Sequence, residues 1–144
     1  MSIDKAFEKA FARMKEQNWD KIYVLVDIHD TIFEADYSKT YEFKWLGESK
    51  TALHMLSDRN DICLILWSGT HKKEIVEHYE LEFIKNGIYF DYINTNPEVG
   101  NTEIYSNDKI YFNVGIDDKF GFEPKTDWNK IINFLKTKQY EKTN

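Results

Sequence analysis

Polar residues that can bind a metal ion or a phosphate follow three apolar runs of this sequence. Asp27 follows the first of these runs and Ser68 follows the second. Asp117 and Asp118 follow the last one. Clustered carboxylates repel one another unless a cation neutralises them, and a small all-oxygen set suits Mg²⁺ completed by water and a substrate phosphate. Any one of these residues alone could merely cap a loop, but the set together predicts a metal and phosphate site.

The apolar runs are typical of strands buried on both faces of a parallel sheet, whose carboxyl ends meet at one edge. They cover residues 22–26, 62–67, 88–93 and 110–116. Segments with helical spacing flank them, at residues 3–17, 48–57, 71–86 and 127–137. Strands that alternate with helices predict right-handed βαβ units. We therefore expect an α/β fold with a Rossmann-like, doubly wound parallel sheet between two helical layers.

Length and composition predict one domain. The 144 residues can form a single core, here an N-terminal helix over 3–17 and a core over 21–138. The net charge of −6 argues against a general nucleic-acid binder, because such affinity rests on lysines and arginines. No apolar run could span a membrane and no signal-peptide pattern begins the chain, so we expect a cytoplasmic protein without a membrane partner. Cys63 lies in an apolar run and is expected to be buried and unreactive.

Three segments carry the polar residues in a distinctive order. Residues 24–32 read Val-Leu-Val-Asp-Ile-His-Asp-Thr-Ile, and residues 64–70 read Leu-Ile-Leu-Trp-Ser-Gly-Thr. Lys109 precedes the last apolar run, and residues 116–119 read Ile-Asp-Asp-Lys. In this order and at these spacings, the segments resemble the four motifs of the haloacid dehalogenase superfamily, the first being an apolar strand followed by Asp-x-Asp-x-Thr. The resemblance spans residues 22–119 and is greatest to small members without a cap domain.

The resemblance implies a role for each matched residue in a phosphatase. Asp27 would attack phosphorus and form an aspartyl-phosphate, which divides one difficult displacement into two easier ones. Ser68, Gly69 and Lys109 would hold the phosphoryl oxygens, and Lys109 would also serve as a catalytic charge beside the nucleophile. Thr31 would orient the turn after the strand at the edge of the phosphate site.

Magnesium is the cofactor that the resemblance implies. Asp27 and Asp118 would bind it, with Asp117 beside them or acting through a water molecule. The backbone carbonyl of His29 would complete the protein ligands. The ion would offset the repulsion between the carboxylates and the phosphate.

His29 departs from the family pattern, which has a second Asp here as general acid and base. An imidazole ordinarily exchanges protons near neutral pH, so His29 can take over this role. The competing interpretation is a degenerate site that binds phosphate or metal with little or no turnover. Asp30 stands where the family often has Gly, and we interpret it as a turn residue.

The segments 28–46 and 94–108 are expected to be irregular walls of the site. Residues 32–46 are too short to form a cap domain, and residues 94–108 are expected to form a loop. An open site suits a large phosphorylated substrate, or a small one if a homo-oligomer partner closes it. A receiver-like signalling domain is disfavoured, because its phosphorylated Asp would follow a later strand. Aromatic residues of the first segment could stack on a base or pack in the core: Phe33, Tyr37, Tyr41, Phe43 and Trp45.

Overall fold

The protein is an α/β structure with one all-parallel, four-stranded sheet flanked by helices. The computed structural model describes residues 2–35, 42–69, 73–99 and 110–138. The strands are β1 (Ile22–Asp27), β2 (Ile62–Trp67), β3 (Tyr92–Ile93) and β4 (Val114–Ile116), in the spatial order β3-β2-β1-β4. The helices are α1 (Ile3–Gln17), α2 (Ser49–Ser57), α3 (Lys73–Lys85) and α4 (Pro124–Thr137), and a single 3-10 turn covers Asp118–Phe120.

The two central strands match their predicted ranges, whereas the outer strands are shorter than predicted. Immediately before each observed outer strand, a side chain takes the place of one backbone hydrogen-bond acceptor. The Asp91 carboxylate accepts a hydrogen bond from the Leu64 amide at 2.8 Å. The Asn113 side chain accepts one from the Tyr23 amide at 2.8 Å. The parallel ladders therefore start late, at Tyr92 and at Val114.

Helix α1 has the predicted bounds, and α4 begins three residues earlier than predicted. Pro124 occupies the first turn of α4, where its missing amide hydrogen is tolerated. The Glu123 side chain accepts a hydrogen bond from the Lys125 amide and caps the helix. These are capping signals rather than apolar spacing, so a pattern of buried positions alone places the start too late.

All four helices share their core with one face of the sheet. Their buried residues form a single cluster with Val24 of β1 and Leu64 of β2. Leu25 and Ile65, which point the other way, belong to a second, smaller cluster that holds no described helix residue. The prediction of two helical layers is therefore wrong for the residues that the structure describes. The crossovers β1-α2-β2 and β2-α3-β3 run in one direction along the sheet, and right-handed connections then place both helices on one face.

The second face of the sheet is closed by a polar cluster around Glu98. Its carboxylate accepts hydrogen bonds from Lys21 at 2.8 Å, Tyr23 at 3.3 Å and Tyr92 at 2.7 Å. Cys63 is buried beneath this cluster, and burial raises the pKa of its thiol to about 12. The prediction of a buried cysteine is confirmed, and the raised pKa agrees with the expectation that the thiol is unreactive.

The described aromatic residues of the segment 28–46 pack in the core. Phe33 is buried, and Phe43 and Trp45 pack against the same cluster. The Phe33 ring lies 4.6 Å from that of Trp45 and 5.5 Å from that of Phe83 on α3. These three rings of the segment are therefore core residues, whereas Tyr37 and Tyr41 lie outside the described residues. Within the described part of the chain, no helix is long and apolar enough to cross a membrane.

Candidate metal and phosphate site

Strand register brings the predicted polar residues to one edge of the sheet. Asp27 ends β1 opposite Trp67, so Ser68 follows β2 directly beside it. On the other side, Val26 pairs with Ile116, and Asp117 leaves β4 next to Asp27. The carboxyl ends of three adjacent parallel strands thus carry Ser68, Asp27 and Asp117.

Three carboxylates meet at this edge. Asp27, Asp117 and Asp118 each offer one ligand oxygen, and these oxygens all lie within 4.8 Å of one another. Among the described residues, this is the group of acids, histidines and cysteines that could hold a metal ion. Asp117 also accepts a hydrogen bond from the Lys119 amide at 2.9 Å, which fixes the 3-10 turn that presents Asp118. The predicted convergence of Asp27, Asp117 and Asp118 is found in the structure.

Thr31 connects two of these carboxylates. Its fully buried side chain places Oγ1 3.2 Å from Oδ2 of Asp27 and 3.4 Å from Oδ1 of Asp118. The same Oγ1 accepts a hydrogen bond from the Asp118 amide at 3.0 Å. A hydroxyl has one hydrogen, so Thr31 donates to one carboxylate at a time. Trp128 of α4 donates from Nε1 to the Thr31 carbonyl at 2.9 Å and anchors the turn.

The turn after β1 is tightly closed. The Ile28 carbonyl accepts hydrogen bonds from the amides of Thr31, Ile32 and Phe33. Asp30 adopts a φ of 58°, the left-handed region in which Gly and Asp are tolerated. Its carboxylate accepts a hydrogen bond from the Ala35 amide at 3.0 Å. Asp30 is therefore a turn residue, as predicted, and its side chain holds the loop.

The site carries uncompensated negative charge. Burial, together with the like charge of Asp117, raises the pKa of Asp27 to about 6, although the Thr31 hydrogen bond acts in the opposite direction. Burial also raises the pKa of Asp117, with a further contribution from Asp118. Asp27 and Asp117 therefore resist ionisation at this edge, and a bound cation would relieve the repulsion.

Ser68 and Gly69 form the opposite wall. Ser68 is buried, and its amide donates to Oδ1 of Asn94 at 2.7 Å. Asn94 itself adopts a left-handed φ of 57° just after β3, which orients its side chain toward the end of β2. A Cβ added to Gly69 would meet no atom within 4 Å, so there is open space beside this backbone. Lys109 lies outside the described residues.

His29 projects from the same turn toward α3. Its Nε2 lies 2.6 Å from the hydroxyl oxygen of Tyr79, a hydrogen-bond distance. The two rings meet edge to face, with centroids 5.7 Å apart. The imidazole is therefore held by a helix that follows the neighbouring strand β2.

Comparisons with known proteins give a fold but no family. No family model matches the chain, and no curated protein matches it. Among solved structures, a conserved protein from Bacteroides thetaiotaomicron is similar, with a TM-score of 0.61 and 23% identity. The match covers 83% of this chain and 93% of that one. At this identity the likeness shows the fold alone, which agrees with the parallel α/β sheet.

Three side chains that arrange the site were not predicted as site residues. Tyr79 and Trp128 fall in the predicted helical segments 71–86 and 127–137, and Asn94 falls in the irregular segment 94–108. Each carries a polar group that needs a partner when it is buried. A Tyr or Trp on the buried face of a helix is therefore a usable signal for a hydrogen bond at the sheet edge. The partner itself could not be named without the structure.

Proposed function

We propose that this chain is a Mg²⁺-dependent phosphatase of the haloacid dehalogenase type, without a cap domain, in which Asp27 is the nucleophile. The observation that carries the proposal is the meeting of Asp27, Asp117 and Asp118 oxygens within 4.8 Å at the carboxyl edge of a parallel sheet. Ligands of open α/β sheets bind at this edge. The order of Asp27, Ser68 and the paired acids along the chain supports the same reaction class.

The donor set fits magnesium. Three carboxylates provide hard oxygen ligands, and the pKa values of Asp27 and Asp117 are raised. Mg²⁺ bound by a few carboxylates usually completes its coordination with water and phosphate oxygens. Asp27, Asp117 and Asp118 would hold the ion together with the His29 carbonyl. When bound, Mg²⁺ supplies positive charge that draws the phosphoryl oxygens to the site and lowers the charge repulsion of attack.

The proposed chemistry proceeds in two steps on Asp27. Its carboxylate oxygen attacks phosphorus as the ester P–O bond breaks, and the leaving oxygen takes a proton from His29. A water molecule then attacks the aspartyl-phosphate, gives a proton to His29 and releases inorganic phosphate with a restored carboxylate. Ser68 and Gly69 would hold the phosphoryl oxygens, with Lys109 as the balancing cation.

A raised pKa is compatible with this role. With a pKa of about 6, Asp27 is mostly ionised at neutral pH and remains more basic than an ordinary carboxylate. Thr31 keeps it oriented through the 3.2 Å hydrogen bond. The substrate would be a phosphate monoester, such as a nucleotide or a larger phosphorylated molecule, and a second copy of the chain could close the site over a small one.

A second candidate function is a phosphate- or metal-binding module with little turnover. The observation that favours it is His29, whose imidazole contacts Tyr79 at the position of the usual acid/base Asp. Replacing His29 by Asp distinguishes the two. A large gain in phosphatase activity supports the binding module as the natural state, and a loss supports a working histidine.

The proposal is tested with a panel of phosphate esters in the presence of Mg²⁺. Asp27→Asn should lower hydrolysis by at least about 1,000-fold, because it removes the nucleophile while keeping the side-chain shape. Asp20→Asn, an exposed residue before β1, is the matched control and should retain full activity. If Asp27→Asn hydrolyses the same esters as fast as wild type, the proposal is wrong. If Mg²⁺ binds and no ester turns over, the binding module is the better description.

A further inference from the structure

We propose that Tyr79 is a positioning residue that fixes the His29 imidazole through its hydroxyl group. This inference rests on the proposed function, in which His29 exchanges protons with substrate and water. The 2.6 Å separation of His29 Nε2 and Tyr79 Oη is the observation that carries it. A hydrogen bond of this length holds the ring nitrogen in one direction, whichever of the two groups donates.

The phenol is itself held rigidly. Tyr79 is 9% exposed, and its ring stacks on Phe33 with centroids 5.9 Å apart. The Phe43 ring contacts it edge to face at 5.9 Å. A tyrosine packed on two aromatic rings has little freedom to rotate, so its hydroxyl is presented at a fixed point. The hydroxyl oxygen at that point lies 2.6 Å from Nε2 of the His29 imidazole.

The turn after β1 and helix α3 are also joined by a second contact. His29 and Phe33 form a bridge within the turn after β1, and the Phe33 ring stacks on Phe83 of α3 at 5.5 Å as well as on Tyr79. The turn therefore contacts α3 through rings at Phe33 and through a polar group at His29. Packing fixes the distance between the turn and the helix, and the hydroxyl fixes the direction of the imidazole.

The contact assigns different tasks to the two ring nitrogens. In the proposed reaction, Nε2 stays with the phenol and Nδ1 exchanges the proton with the leaving group and with water. With Nε2–H donating to the Tyr79 oxygen, the ring can lose its Nδ1 proton to the leaving oxygen and take one back from water. The hydrogen bond to Tyr79 is kept in both steps, and no ring flip is needed.

The first test is a double-mutant cycle. Tyr79→Phe keeps the ring and removes only the hydroxyl, so kcat for a phosphate ester should fall about 10- to 100-fold with little change in KM. In a His29→Asp background the same substitution should change kcat less than about twofold, because the group it positions is gone. Tyr92→Phe is the control, since it removes another 2.7 Å hydroxyl hydrogen bond on the opposite face of the sheet.

An equal loss of kcat in both backgrounds would mean that Tyr79 acts only on the fold, which overturns the inference. An unchanged kcat after Tyr79→Phe in the protein that keeps His29 would overturn it too. Loss of folding in Tyr79→Phe is checked by its thermal unfolding midpoint, and Tyr79→Met, which retains apolar volume, then replaces it in the cycle.

The second test does not depend on activity. Nitrogen-15 NMR of the histidine rings, recorded at pH 8.5, reports which nitrogen carries the hydrogen, and His29→Gln assigns the signal. We expect the Nε2–H tautomer in wild type and a mixture of tautomers in Tyr79→Phe. If the tautomer changes while no ester is hydrolysed, the positioning contact is real and the proposed phosphatase is wrong. If the tautomer is the same in both proteins, the inference is wrong.

Discussion

The buried hydroxyl group of Thr31 connects two of the three carboxylates of the site. The Thr31 hydroxyl lies between the carboxylates of Asp27 and Asp118 and accepts a hydrogen bond from the Asp118 amide. One side chain therefore fixes both Asp27 and the 3-10 turn. The hydrogen bond between Thr31 and Asp27 is local in sequence, whereas the one between Thr31 and the Asp118 amide joins residues 87 positions apart. The family resemblance implied an orienting Thr31, but the contact with Asp118 came only from the structure.

We expect Thr31→Val to weaken Mg²⁺ binding by about 10- to 100-fold, because it keeps the shape of the residue and removes the group that orients two ligands. It should also lower the free energy of unfolding by about 1 to 3 kcal/mol, since the Asp118 amide loses its acceptor. Titration calorimetry with Mg²⁺ and urea unfolding measure the two effects. Thr51→Val on the exposed face of α2 is the control, and equal Mg²⁺ affinity in all three proteins would contradict the prediction.

The raised pKa of Asp27 predicts a pH-dependent stability in chelator-treated protein. The folded-state pKa is about 6 against an ordinary 3.8, so the folded state binds the proton more tightly. Stability from this group is therefore complete below about pH 4 and is lost as the pH rises through 6. Asn does not titrate, so Asp27→Asn should become more stable than wild type across this window.

The size of that difference follows from the shift. Roughly two pKa units correspond to about 2.7 kcal/mol, and partial exposure of the carboxylate reduces the effect to about 1 to 2 kcal/mol at pH 7. Urea unfolding of both proteins with EDTA at pH 4 and pH 7 measures it. A stability difference that stays constant between these pH values would show that Asp27 ionises normally.

The helices determine how accurately the site is held. Trp128 of α4 is fully buried and reaches the Thr31 carbonyl, while Tyr79 of α3 reaches His29. Both helices therefore contact the turn after β1 from the side of the core. The turn that follows Asp27 is fixed by long-range packing as well as by its own hydrogen bonds.

Replacing Trp128 by Phe tests this support. The substitution removes the indole N–H and part of the ring, so we expect a loss of about 2 to 4 kcal/mol in the free energy of unfolding. The Thr31 carbonyl also loses its donor, and Mg²⁺ affinity should fall with stability. Trp19→Phe, at a half-buried position after α1, provides the comparison and should cost less than about 1 kcal/mol. Equal losses in the two variants would mean that Trp128 gives no special support.

The elements divide into those with a strong sequence signal and those without one. The central strands 22–27 and 62–67 follow from unbroken apolar runs, and the amphipathic spacing gives α1. The outer strands were predicted too long, because apolar runs that begin at residues 88 and 110 do not reveal that regular pairing starts only at Tyr92 and Val114. The position of the helices on one face depends on the direction of successive crossovers, and the order of the strands is not written in the apolar pattern.

The site residues also divide into those that could be predicted from the sequence and those that could not. Asp27, Asp117 and Asp118 could be placed together because parallel strands end on one edge. The partner of His29 could not be predicted, because Tyr79 lies 50 residues later in the sequence, after helix α2 and strand β2. Only three-dimensional packing brings a helix face to that turn.

At the scale of the whole molecule, the acidic cluster gathers part of the chain's net charge of −6 at one edge of the sheet. A cation at the cluster should therefore stabilise the folded protein and do little for the unfolded chain, in which Asp27 is not held beside Asp117 and Asp118. Stabilisation by a specific ligand is set by its concentration relative to its dissociation constant, and reaches about 2.7 kcal/mol at 100 times that constant.

We expect millimolar MgCl₂ at pH 7 to raise the thermal unfolding midpoint by several degrees, and EDTA to reverse the rise. A change of about 1 kcal/mol moves the midpoint of a domain of this size by roughly 2 to 6 °C. NaCl at matched ionic strength separates site binding from general screening, because screening acts on all surface charges. Asp118→Asn should lose most of the Mg²⁺ effect and keep the NaCl effect. A midpoint that rises equally with both salts, or equally in both proteins, would mean that the three carboxylates do not act as a cation site.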